Sequence, residues 1–163
     1  GLGDVYKRQV LQPGEWFFGQ APGVIRTLLG SCVAVTVWHP ILRCGGMCHY
    51  LLPNRPRVDQ GLLVPNGRYG VDALQFLHCE MIERAPLREY HVSCFGGAMM
   101  FSGNHTVGQS NMALAMKWMS LHLLSPKQTE MGGLKGRKIQ LDLDSGTLEV
   151  TNLDPVPYQG EKL

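Results

Sequence analysis

Two residues in the stretch TLLGSCVAVTVWHPILRCGGMCHYLLP, residues 27–53, can do nucleophilic chemistry together: Cys32, just after a Gly-Ser pair, and His49, inside an apolar run. A free thiol has a pKa of about 8.5 and is mostly protonated at neutral pH. A neighbouring imidazole can hold it as a thiolate–imidazolium pair, an activated nucleophile with a general acid already in position. The Gly30-Ser31 turn before Cys32 lets a backbone approach closely, and its amide N–H groups could stabilise an oxyanion. Without such a partner, a cysteine in an apolar strand is most often an inert small hydrophobe.

Whether the pair forms depends on the elements that carry it. In CVAVTVWHP, Val33, Val35 and Val37 alternate with Ala34, Thr36 and Trp38, the pattern of a strand buried on both faces, and Pro40 stops it. MCHYLLP reads as a second strand ended by Pro53, so residues 32–52 form a hairpin or two neighbouring strands. A turn centred between Pro40 and Ile41 puts His49 directly opposite Cys32, with Cβ atoms roughly 5 Å apart. A turn centred on Leu42 puts His49 opposite Val35 and sends Cys32 to the other face. Periodicity does not choose between them.

Other groupings carry less. Cys44, Cys48 and His49, with His39 nearby, suggest metal ligands, but the Cys-x3-Cys-His spacing lacks a second ligand pair at zinc-ribbon distance. Cys79 and Cys94 read as core residues, and His78, His91, His105 and His122 as surface or satisfied core histidines. GRYG and GGAMMF resemble ligand loops but match neither G-x-G-x-x-G nor a Walker A pattern, so they read as turns. Met112, Met116 and Met119 fit a packed helix.

The remaining elements set the fold class. VLQPGEWFFG, around a Pro13-Gly14 turn, and GVIRTLL read as strands, NRPRVDQGLLVPNGRYG as an exposed loop, and EYHVSCF as a strand. A helix is expected over 71–85, with Leu74, Leu77, Met81 and Ala85 at helical spacing, Asp72 at its N-terminal end and Pro86 as its stop. A largely buried helix is expected over 109–124, closed by Pro126. KIQLDLDSGTLEV is a hairpin around 144–147, with Ile139, Leu141 and Leu143 facing one way. Strands outnumber helices and run together, which is α+β rather than alternating βαβ. Residues 1–9 are set aside as a tag remnant or misjoined start, 10–151 read as one domain, and 152–163 as a loose tail.

Composition narrows the function. Hydrophobic residues are 44% and charged residues 17%, so the chain is an ordered globular protein. Lys plus Arg exceed Asp plus Glu by only two, and the basic residues are scattered, which argues against nucleic acid as a partner. The five cysteines show no disulfide framework, and no apolar stretch is long enough to cross a bilayer. A reduced, cytoplasmic protein is expected, and nothing suggests an obligate dimer.

From about Val10 to Val150 the chain resembles the chemoreceptor glutamine deamidase family, CheD. The residues that carry the resemblance are LQPGEWFFG, TLLGSCVAVTVWHP, GGMCHYLLP, GRYGVDAL, CFGGAMMF, VGQSN and GGLKGRKIQLDLDSGTLEV, in the family's order. It implies an enzyme of bacterial chemotaxis that converts glutamines of methyl-accepting receptors to glutamate, sometimes also hydrolysing receptor methyl esters, and in some bacteria binding the CheC phosphatase. It implies a β-sandwich-like α+β fold of mixed sheets flanked by helices, similar to the catalytic domain of cytotoxic necrotizing factor. The family's nucleophile falls on Cys32, its histidine on His49, and a threonine often treated as a third member on Thr27; backbone at Gly30 and Ser31 would bind the oxyanion. No metal or organic cofactor is implied. Some members read Thr-Leu-Gly-Leu-Gly-Ser-Cys where this chain has TLLGSC, and many have Asn where this chain has Leu134.

Overall fold

The alternation in VAVTVWH is met by an apolar layer on each side of the strand that carries it. In the computed structural model, which describes residues 5–56, 64–99 and 105–153, that strand is β4 (Val33–His39), at the centre of a five-stranded sheet of order β2-β5-β4-β6-β7. The others are β2 (Trp16–Gln20), β5 (Cys44–Tyr50), β6 (His91–Gly96) and β7 (Gln128–Met131). A four-stranded sheet of order β1-β3-β8-β9 holds β1 (Lys7–Leu11), β3 (Gly23–Leu29), β8 (Arg137–Asp142) and β9 (Leu148–Asn152). Each sheet mixes one parallel pair, β1 with β3 or β6 with β7, with antiparallel pairs. Helices α1 (Gly70–Ile82) and α2 (His105–Leu121) pack on one face of the five-stranded sheet. The class is α+β, two mixed sheets flanked by helices, as the sequence leads one to expect.

Two cores follow from the strand parity. Val33, Val35, Val37 and Cys48 face the helices and meet Ala73, Leu74, Leu77 and Met81 of α1 and Ala115 and Met119 of α2. Ala34, Met47 and Phe95 face the other sheet and meet Leu11, Ile25, Leu29, Ile139, Leu141 and Leu143. Each of these large side chains contributes on the order of 1.5–3 kcal/mol by burial. The space between the sheets is therefore a packed, stiff setting for any polar group placed in it.

Several expectations change. β1 takes in Lys7, Arg8 and Gln9, which the sequence reading set aside. β7 was not expected, because QTEM has no apolar run; it forms by adding in parallel to the edge of β6. α2 begins four residues earlier than read and is two-faced rather than largely buried: Asn111, Ala115 and Met119 lie inside, while Met116 and Leu121 are exposed. Leu123, with φ of 57°, ends its last turn before Pro126 is reached. Cys79 is exposed, since the buried face of α1 is set by Leu74, Leu77 and Met81 and Cys79 lies on the other side. Cys94 is buried as expected. Part of GGAMMF lies outside the described residues, as do residues 57–63 of the loop before α1 and the tail from residue 154. Among the described residues no helix is long and apolar enough to cross a membrane.

Candidate active site

The β4–β5 hairpin exists, but its register is neither of the two considered. Ala34 pairs with His49 and His39 with Cys44, so the turn is centred between Ile41 and Leu42. The reason lies in His39, whose buried ring organises the four-residue loop: its Nδ1 accepts the N–H groups of Ile41 at 3.2 Å and Leu42 at 3.0 Å. With Nδ1 an acceptor, Nε2 carries the proton and donates to Glu89 at 2.8 Å. The consequence for the pair is a diagonal rather than a direct juxtaposition. Cys32 stands two residues before Ala34, on the parity of His49, at a diagonal spacing of roughly 7 Å. Cys32 packs against the inter-sheet core, and His49 projects into the same layer, next but one to Met47.

His49 is 2% exposed. Its Nδ1 lies 2.7 Å from the hydroxyl of Thr27, which stands on β3 in the opposite sheet. That hydroxyl is also 2.8 Å from the carbonyl of Leu11, which can only accept, so the single hydroxyl proton goes to Leu11. Thr27 therefore accepts from His49 Nδ1–H, and the imidazole is held with a bare Nε2. That Nε2 is buried and has no hydrogen-bonding partner among the described residues. Burial lowers the His49 pKa from its ordinary 6.5 to about 4.

The Cys32 turn is held by its carbonyls. Ala98 N–H donates to Gly30 at 3.0 Å and Gly97 N–H to Cys32 at 2.9 Å. The Ser31 carbonyl accepts from the side-chain amide of Asn111 at 3.2 Å. In a trans peptide the C=O and N–H point to opposite sides, so the N–H groups of Ser31 and Cys32 are turned away from these anchors. Burial pushes the Cys32 thiol up, and the residue's own N–H, lying against the sulfur, pulls it the other way. Desolvation thus works against charge on both groups, raising the thiol and lowering the imidazole.

Gly96 is required where it stands. Its φ is +110°, and a Cβ there would lie 2.1 Å from the Cys32 carbonyl oxygen. Behind it, Arg137 of β8 donates to the carbonyls of Gly96 at 3.2 Å and Gly132 at 2.9 Å, tying the Gly-rich turn to the four-stranded sheet. Neither Asn111 nor Arg137 is singled out by spacing, although both lie in stretches that carry the family resemblance, VGQSN and GGLKGRKIQLDLDSGTLEV.

The imagined metal set does not assemble. Cys48 and His49 are consecutive in a strand and so face opposite layers, Cys48 toward the helices with its pKa raised by burial to about 12. Among the described residues no three His, Cys, Asp or Glu side chains are gathered as ligands.

Comparison with known proteins adds an independent line. The family model described as CheD chemotactic sensory transduction matches residues 51–152, a span that starts two residues after His49. Whole-chain relatives extend further. A protein of Pseudomonas syringae pv. tomato named "Probable chemoreceptor glutamine deamidase CheD" is 42% identical, covering 86% of each chain. A Dechloromonas aromatica protein named as CheD 3 is 39% identical over 83% of this chain and 82% of its own. A Chromobacterium violaceum protein named as CheD 1 is 39% identical over 85% of this chain and 74% of its own. Matches of this extent and identity, on a chain whose motifs resemble the same group, establish that it belongs to the CheD family.

Proposed function

We propose that this chain is a protein-glutamine deamidase acting on methyl-accepting chemotaxis receptors, with Cys32 as nucleophile and His49 as the group that moves the proton. The observation that carries the reading is the His49 ring. One nitrogen is committed to Thr27, the other is buried without a hydrogen-bonding partner among the described residues, and the Cys32 thiol lies in the same inter-sheet layer. The names of the relatives supply the substrate class.

The reaction runs as acyl transfer. The glutamine side-chain carbonyl enters beside Cys32; the thiol proton passes to His49 Nε2 as the sulfur attacks, so a neutral pair becomes charged only in the transition state. The oxyanion that forms is met by the N–H groups of Ser31 and Cys32, in the turn that Gly30 allows. His49 Nε2–H then protonates the departing nitrogen, ammonia leaves, and a thioester remains on Cys32. Water, deprotonated by the same Nε2, adds to the thioester; its collapse returns the proton to sulfur and frees glutamate. Thr27 keeps Nδ1 protonated throughout. A receptor methyl ester would follow the same path with methanol leaving, and the chemistry calls on no metal or organic cofactor.

A cytoplasmic location follows from this substrate. The CheC-type phosphatase implied by the family resemblance belongs to the same reading: a partner that imitates the receptor helix would compete for Cys32. The test is to incubate the purified protein and its Cys32→Ala variant with a receptor cytoplasmic fragment and map glutamine-to-glutamate conversion by mass spectrometry. Conversion by the parent alone supports the reading. Conversion by neither, on a fragment that a known deamidase accepts, overturns it and favours a protein that acts by binding.

A further inference from the structure

We infer that Asn111 is a positioning residue for the reaction at Cys32, fixing with one side-chain amide both the nucleophile's turn and the strand that carries His49. The inference rests on the deamidase reading above.

Asn111 is fully buried on the inner face of α2, where Ala115 and Met119 beside it are apolar. Asn is a poor helix former in such a place, costing about half a kcal/mol against Ala. Its Nδ2 donates twice, to the Ser31 carbonyl at 3.2 Å and to the Leu51 carbonyl at 2.8 Å. Its Oδ1 is buried with no partner among the described residues. Two hydrogen bonds are gained and one buried acceptor is left unmet, so for stability the exchange is near even. What the amide supplies instead is geometry.

The two carbonyls it joins are the informative ones. Ser31 shares a peptide plane with the N–H of Cys32, so holding the Ser31 oxygen fixes the direction of that N–H. Leu51 is two residues beyond His49, just past the end of β5. One amide thus sets the aim of an oxyanion donor and the separation of the two segments whose side chains exchange the proton. The flanking anchors, Ala98 to Gly30 and Gly97 to Cys32, are backbone groups and tie the turn to the end of β6. Only Asn111 links the turn to the His49 strand through a side chain among the described residues.

A misplacement of about 1 Å in such a site costs on the order of a hundredfold in rate. We would measure kcat and KM for glutamine conversion in a receptor fragment for Asn111→Ala and Asn111→Asp, with thermal unfolding alongside. Asn111→Ala leaves room for water to meet both carbonyls and is the variant expected to stay folded; Asn111→Asp keeps the shape and removes the donors. The expected result is a kcat lowered about a hundredfold with KM within about threefold, in whichever variant is folded at the assay temperature. A merely structural Asn111 would lower the melting temperature and leave kcat per folded molecule unchanged. That result, or a loss confined to KM, overturns the inference alone. A wild-type protein that converts no glutamine overturns the deamidase reading, and this inference with it.

Discussion

Thr27 and His49 stand in different sheets, yet their side chains meet at 2.7 Å across the inter-sheet core. The contact is anchored behind: Thr27 donates to Leu11, its register partner on β1, so a three-member relay runs from β1 through β3 to β5. Removing the hydroxyl while keeping the shape, in Thr27→Val, leaves His49 Nδ1–H buried and unpaired. That costs about 1–3 kcal/mol, part of it in the tautomer and aim of the ring. The kcat for receptor glutamine should fall about 10- to 100-fold, while Thr27→Ser should keep most of it. Equal rates for Thr27→Val and wild type would remove Thr27 from the site.

The lowered His49 pKa predicts an unusual pH profile. An imidazole at its ordinary 6.5 would lose base activity below that pH, whereas His49 stays neutral down to about 4. The kcat/KM should therefore hold through pH 6.5 and fall only as pH approaches about 4. A break close to 6.5 would show that substrate finds His49 in a different environment. Stability carries the same sign. Between the folded and unfolded values the unfolded chain binds more protons, so stability rises with pH there. The contribution, present in full above pH 6.5, is lost as pH falls through about 4. It amounts to roughly 3 kcal/mol, and in His49→Gln, followed by denaturant titrations across this range, that slope should be missing.

Much of this was legible in the sequence where periodicity speaks. VAVTVWH announces a strand covered on both faces, and Ile139, Leu141 and Leu143 announce a shared inner face; both are as found. The resemblance supplied Cys32, His49 and Thr27, and the structure brings the last two into contact. The hairpin register was not legible, because it turns on His39 folding its own loop through two backbone N–H groups, a local hydrogen-bond preference that hydrophobic patterning does not encode. Nor were the directions in which burial moves the two pKa values, which are a matter of depth rather than residue type. β7 escaped for a third reason: a strand that gains its stability from an edge it joins need not carry an apolar pattern of its own.

Gly96 ties the backbone of β6 to the position of Cys32, the proposed nucleophile. In Gly96→Ala the new Cβ meets the Cys32 carbonyl oxygen, a backbone atom that cannot swing aside as a side chain would, at a φ of +110° that alanine resists. The turn must move. The variant should lose both stability, by about 1–3 kcal/mol, and nearly all turnover. Gly133→Ala is the control, also at positive φ, where among the described residues a new Cβ would approach only the Arg137 side chain, at 3.7 Å. It should be destabilised by a similar strain yet keep much of its activity. Comparable activity losses in the two would mean that strain, not displacement of Cys32, is responsible.

Arg55 and Asp72 lock the chain leaving β5 to the first turn of α1. The carboxylate of Asp72 accepts from Arg55 Nε at 2.8 Å and Nη2 at 3.0 Å, and from the Asn66 N–H at 3.0 Å. Burial alone would raise the Asp72 pKa, but these donors outweigh it and hold it below the usual carboxylate value. A depressed carboxyl contributes stability at neutral pH that is lost as pH falls through its folded pKa. Asp72→Asn keeps the shape and one acceptor but removes the charge, and should cost about 1–3 kcal/mol at pH 7, the penalty shrinking in acid as the wild-type carboxyl protonates. Denaturant midpoints of both proteins at pH 7 and in acid well below the ordinary carboxylate pKa of 3.8 check this. A penalty that does not change with pH would mean that the hydrogen bonds, and not the charge, carry the lock.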